Sequence, residues 1–284
     1  MIAAVTIAVI AVLLAVFSKR IINAVGDIKA AEYTASDLNN VDNIVLLTHC
    51  AEVDGRKNSV AGVKEAVRLG ADAVAVDLCF RQDGTPVITD DYSEVGSAPL
   101  LEDLFRAMTD KKYSDVKVFL NIVQLSDMSE LNRLAVDFDL VSRLFIVGID
   151  TDHYGLITGD DTIIPFYLDY KFKSEELKEI EKGTFAIPEV LSQYGATGFV
   201  IEASDSSVAV IGALDDYGIP CIVKEIKNNS QLAEALIDNA QTVWVDDIEG
   251  SSVFLDGWIS EMQERYESLV EASLNALSTA SVQK

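Results

Sequence analysis

The feature that most constrains the fold is an alternation. From Asn43 onward, short β-branched runs take turns with amphipathic stretches of about ten to fifteen residues, a pattern of repeated βα units on a parallel sheet. Eight such runs can be read: 44–48 (IVLLT), 73–80 (AVAVDLCF) with its companion 85–89 (TPVIT), 117–123 (KVFLNIV), 143–149 (RLFIVGI), 162–168 (TIIPFYL), 197–203 (TGFVIEA), 220–226 (PCIVKEI) and 242–247 (TVWVDD). Between them lie helical patterns such as SVAGVKEAVRLG, ending at Gly70, and SQLAEALIDNA, with Ser230 as its N-cap. Eight strands with intervening helices close into a (β/α)8 TIM barrel, an α/β fold that places its chemistry at the C-terminal ends of the strands. A doubly wound open sheet is the alternative, but neither G-x-G-x-x-G nor G-x-x-x-x-G-K-[ST] occurs to mark a nucleotide site.

The two ends of the chain read differently from its body. Met1 to Phe17 is apolar apart from Thr6 and is followed at once by Ser18, Lys19 and Arg20. Such a helix is roughly 26 Å long and just able to span a bilayer. The basic pair follows the apolar run instead of preceding it, which favours an uncleaved transmembrane helix over a signal peptide. The expected layout is a transmembrane anchor at 1–18, a tether at 19–42, a barrel at 43–250 and an amphipathic C-terminal helix at 251–284. The positive-inside rule puts the globular part of this single-pass membrane protein on the cytoplasmic side, with the extracellular side left open.

Charge and composition narrow the function classes. With 46 acidic against 22 basic residues the net charge is −24, so no basic face is present for nucleic acid. The same charge opposes adsorption to an anionic membrane and leaves the N-terminal helix as the membrane partner. A 49% hydrophobic content excludes a disordered acidic chain. Cys50, Cys79 and Cys221 are too few for a disulfide framework and lack C-x-x-C spacing. Packing is the default for Cys50 and Cys79, with a redox pair or soft-metal site between them as the sharper alternative.

The stretch GADAVAVDLCFRQDGTPVITDD (70–91) resembles the second strand and hairpin of the glycerophosphodiester phosphodiesterases. The similarity extends over nearly the whole body: THC (48–50) with Asn58-Ser59, PLLEDLFRAM (99–108), LNIVQL (120–125) and VWVDDIE (243–249). The resemblance implies a TIM barrel that cleaves phosphodiesters with a divalent cation, Mg²⁺ or Ca²⁺, held by carboxylates on the second and third strands, and two histidines as general acid and base. A hard cation suits oxygen ligands and developing phosphoryl charge, and imidazoles move protons near neutral pH. Transferred residue by residue, His49 takes the place of the first catalytic histidine and Asp77 that of one metal carboxylate. The other metal carboxylates fall at Ala75 and Val123, the strand-three lysine at Leu125, the second histidine at Asp90, the arginine after the first histidine at Cys50, and the glutamate before Asn58 at Lys57. The substrate-capping insertion is reduced to Tyr92–Ala98.

Other carboxylates stand near strand ends: Asp90, Asp91, Asp150, Asp152, Asp169, Glu202, Asp205, Glu225, Asp246 and Asp247, with His153 after the fourth strand. Two functional expectations follow. The first is a catalytically impaired relative that binds a small phosphodiester ligand or a protein partner at the membrane and needs no cofactor. The alternative is an active phosphodiesterase with a rebuilt cation site around His49.

Overall fold

The computed structural model describes residues 44–264 except 55–56, 125, 153–161, 205–206 and 262. The expected anchor at 1–18, the tether at 19–42, His153, Asp205 and the tail beyond 264 lie outside the described residues. Among the described residues, no helix is long and apolar enough to cross a membrane.

The expected strands form, with bounds shifted by a few residues. They are β1 (Val45–His49), β2 (Ala73–Phe80), β3 (Pro86–Ile88), β4 (Lys117–Ile122), β5 (Leu144–Asp150), β6 (Phe166–Asp169), β7 (Gly198–Glu202), β8 (Cys221–Ile226) and β9 (Thr242–Val245). Eight of them pair in parallel around a closed ring, β1-β2-β4-β5-β6-β7-β8-β9 and back to β1, which settles the choice between barrel and open sheet. β3 is the exception. β1 pairs with the first residues of β2, up to His49 opposite Ala75, and β3 then takes the same edge of β2 antiparallel, with Leu78 opposite Ile88. The companion run is therefore a hairpin arm extending beyond the rim.

The helices are α1 (Val60–Arg68), α2 (Leu101–Met108), α3 (Ser129–Asp137), α4 (Ser174–Glu181), α5 (Ile187–Tyr194), α6 (Val208–Asp216) and α7 (Asn229–Ile237). Capping explains several starts. Ser59 accepts the Gly62 N–H at the head of α1, and Ser207 does the same for Val210 at α6. At α7 the cap is Asn228, whose side chain accepts the N–H groups of Ser230 and Gln231, so the helix begins before the expected Ser230. The asparagine oxygen reaches two donors that a serine two residues later would leave open.

The last helix, α8, begins at residue 248, three residues before the expected boundary, and continues to at least 261. Asp247 accepts the Gly250 N–H at 3.0 Å at its start. Ile248, Leu255 and Trp258 recur at helical spacing and are buried in the main core, so this helix belongs to the barrel's outer layer.

Strands buried on both faces produce two cores. All eight residues of β2 are buried. Outward residues such as Val74, Val76, Leu120 and Ile146 meet the helices in the larger cluster. Inward residues, among them Leu47, Ala75, Phe119, Tyr167, Ile222 and Trp244, fill the barrel. If α8 is structural, Trp258→Ala lowers unfolding stability by about 3–5 kcal/mol, as expected for a large buried aromatic. Equilibrium urea denaturation measures this, and a loss under 1 kcal/mol contradicts the packing.

Candidate functional site

Side chains on a strand return to the same face every second residue, so the next inward position after each apolar barrel residue is found by adding two. Leu47 is followed by His49, Ala75 by Asp77, Phe119 by Asn121, Tyr167 by Asp169, Val200 by Glu202, Ile222 by Lys224 and Trp244 by Asp246. Every one of these successors is polar. β5 departs from the pattern because its pairing with β6 shifts register at a bulge containing Gly148, which adopts a φ of 80°. The C-terminal mouth therefore opens directly above a closed apolar plug.

A cavity of about 340 Å³ occupies this mouth, with His49, Asn121, Asp169, Lys224, Trp244 and Asp246 in its wall. The exposed His49 ring tilts over Trp244, with 4.7 Å between ring centroids. Lys224 Nζ reaches past β7 to Asp169 on β6 at 2.5 Å, and both side chains are largely shielded. The next residue, Glu225, pairs with Lys227 at 3.0 Å and takes a left-handed φ of 65° where β8 shifts register against β9. The paired Lys227 holds the Glu225 carboxyl below its ordinary range.

Asp77 sits deeper, 9% exposed, and each of its carboxylate oxygens accepts an amide hydrogen bond. Asn58 Nδ2 donates to Asp77 Oδ2 at 2.8 Å, and Asn121 Nδ2 donates to Asp77 Oδ1 at 2.5 Å. Asn58 Oδ1 in turn accepts the Asp77 backbone N–H at 3.0 Å and the Cys50 thiol at 3.5 Å. Burial, the largest influence, pushes the Cys50 thiol up from its ordinary pKa and keeps it protonated as a donor. Asn58 holds this position with a φ of 51°, a left-handed conformation that asparagine tolerates.

The residues at the expected cation position do not fit a divalent ion. Mg²⁺ and Ca²⁺ require several oxygen ligands. Ala75 offers a methyl group inside the apolar plug, Val123 an isopropyl group that is 45% exposed, and Asp77 two oxygens already facing amide donors. Among the described residues, no three His, Cys, Asp or Glu side chains are grouped to hold a metal ion.

The remaining candidates scatter. Asp90 lies with Glu52, Lys57 and Asn58 in a separate crevice beside the hairpin arm, apart from the cavity wall that contains His49. Asp91 caps a short turn by accepting from Ser93, and Glu202 pairs with Lys171 at 3.5 Å. Asp150 and Asp152 share a side crevice with Asp169, Lys171 and Lys173. Cys50 and Cys79 are both free and buried, in different clusters, and the Cys79 thiol donates to the Thr89 carbonyl. The two thiols thus have separate partners.

Asn121, Lys224 and Trp244 escaped selection as site residues in the sequence, although the plus-two rule applied to the eight runs points to each. Two substitutions check this geometry. A Cβ on Gly148 would fall 2.4 Å from Asn121 Oδ1, so Gly148→Ala lowers stability by about 1–3 kcal/mol in chemical denaturation through both the clash and the left-handed backbone. Lys224→Met leaves Asp169 charged and shielded, at a cost of about 1–3 kcal/mol, and adding Asp169→Asn restores most of it. Additive losses in that double variant would contradict a coupled pair.

No protein-family model matches the sequence, and no curated protein is similar to it. Solved structures do match. A glycerophosphodiester phosphodiesterase from Agrobacterium tumefaciens superposes with a TM-score of 0.58 at 12% identity, covering 74% of this chain and 99% of that one. The glycerophosphoryl diester phosphodiesterase domain of a Mycobacterium tuberculosis protein gives 0.57 at 14%, covering 75% and 99%. A phosphodiesterase from Oleispira antarctica, solved with its product sn-glycerol-3-phosphate, gives 0.57 at 14%, covering 75% and 96%. With its closed parallel ring and hairpin arm, the chain has the fold of the glycerophosphodiester phosphodiesterases.

Proposed function

We propose that this chain is a glycerophosphodiester phosphodiesterase-like barrel that binds a small ligand at its mouth without metal-assisted hydrolysis. The observation that supports this reading is the state of Asp77, the one carboxylate at an expected cation position, whose two oxygens both accept amide hydrogen bonds. The expected proton carriers tell the same way: His49 stands over Trp244 in the mouth, and the position of its partner is held by Asp90, which lines another crevice. Each positioned acid or base in such a mechanism contributes about 10²–10⁴-fold, so losing one together with the cation removes most of the rate.

The mouth keeps what a ligand site needs: a cavity of about 340 Å³, an apolar floor and convergent polar groups. The apolar run at 1–17 would tether this barrel to a membrane, with the soluble body on the cytoplasmic side, and a small phosphodiester or a protein partner would be its occupant.

The test is turnover of a chromogenic phosphodiester and of glycerophosphodiesters by the full chain with Mg²⁺, Ca²⁺ or Mn²⁺. The expected result is no rate above the protein-free control with any ion, and no difference between the native chain and His49→Ala. Cation-dependent hydrolysis abolished by His49→Ala would establish instead an active enzyme with a rebuilt carboxylate site using His49.

A further inference from the structure

We propose that the Asn58–Asp77–Asn121 hydrogen-bonded clasp does the positioning work of a cation, so that the mouth is organised and the barrel is stable without any divalent ion. This deepens the ligand-binding reading and rests on the same state of Asp77, but it concerns how the mouth is held, whatever occupies it.

Three observations support the clasp as a built feature. Its parts are mutually oriented. Asn58 Oδ1 accepts from the Asp77 backbone N–H while Asn58 Nδ2 donates to the Asp77 carboxylate, so one amide grips both ends of one residue and its orientation is fixed by the partners. It is shielded, with Asn58 5% and Asp77 9% exposed, so these bonds to a charged acceptor replace hydration that burial has removed. It also links distant elements. Asn58 lies in the segment between β1 and α1, directly before the Ser59 cap, whereas Asn121 comes from β4 and lines the cavity against Gly148.

A cation would join the same elements by drawing oxygens together, and it would leave repelling carboxylates behind when absent. Here the charge balance is reversed. A single carboxylate receives two side-chain amide donors, and the strand-two neighbour that could add a second carboxylate is the methyl of Ala75. The two amides of Asn58 and Asn121 thus act as the positive pole of the site, with Asp77 as a positioning residue for the loop after β1 and for the Asn121 wall of the mouth.

The two schemes give opposite signs for Asp77→Asn. In a cation site, neutralising a ligand carboxylate leaves the ion-free protein at least as stable and abolishes stabilisation by added ion. In the clasp, an asparagine at 77 turns an NH₂ group toward one of the two donors. We therefore expect the melting temperature of the full chain in EDTA to fall by about 3–8 °C in Asp77→Asn, and by a smaller amount in Asn121→Ala, which loses one donor only. The native chain should melt at the same temperature in EDTA as in millimolar Mn²⁺, Mg²⁺ or Ca²⁺.

A cation-induced rise in the native chain that Asp77→Asn abolishes would overturn the proposal. So would an Asp77→Asn variant as stable in EDTA as the native chain. Should Asp77→Asn fail to fold, Asn121→Ala and the cation series decide on their own. None of these readings involves ligand or turnover, so an Asp77→Asn variant as stable as the native chain would end the clasp alone, whereas cation-dependent hydrolysis would end the ligand-binding reading.

Discussion

The structure depends on one step in polarity, between two successive layers inside a closed barrel. A barrel interior has no room to be half wet. Leu47, Ala75, Phe119, Tyr167, Ile222 and Trp244 fill the ring with apolar atoms, and on each regular strand the next inward residue is polar, at heights staggered by the register, as where His49 stands opposite Ala75. The strand period of two makes this step sharp. It gathers polar groups from five strand ends, His49, Asn121, Asp169, Lys224 and Asp246, around one cavity. Those groups have to satisfy one another, and they do so through the Lys224–Asp169 pair and the amides around Asp77.

On the reading proposed above, that mutual satisfaction lets a barrel of this fold keep its mouth ordered without a cation. In a cation-based mouth the ion gathers carboxylates. Here the same strand ends are held by protein donors, and the positions that would add carboxylates carry Ala75 and Val123. A net charge of −24 strengthens the contrast, because an acidic chain repels an anionic phosphodiester unless a positive group faces it. The two lysines in the cavity wall are each matched to a carboxylate, Lys224 to Asp169 and Lys227 to Glu225.

Much of the fold was legible in the sequence, because eight β-branched runs at βα spacing have few closed solutions. The errors were local. Asn228 caps α7 before Ser230, and α8 starts at residue 248 because Asp247 and Ile248 serve the helix as cap and first core contact. The site was legible only in part. His49 and Asp77 stand out only through the resemblance, and the structure places His49 in the cavity wall and Asp77 buried nearby. Asn121, Lys224 and Trp244 carry no motif, and their importance comes from sharing an inward layer across strands far apart in the chain. The capture of Asp77 by Asn58 was out of reach for a further reason: it requires a left-handed turn that folds a loop residue back onto β2.

On the clasp proposal, protein amides hold Asp77 where a cation would otherwise stand. A crystal structure of the full chain soaked in Mn²⁺ tests it most directly, through anomalous scattering at the manganese edge. The expected result is no anomalous peak at the Asp77 carboxylate, with the amide nitrogens of Asn58 and Asn121 at hydrogen-bond distance from its two oxygens. A peak within about 2.0–2.4 Å of an Asp77 oxygen, with either asparagine turned away, would contradict it.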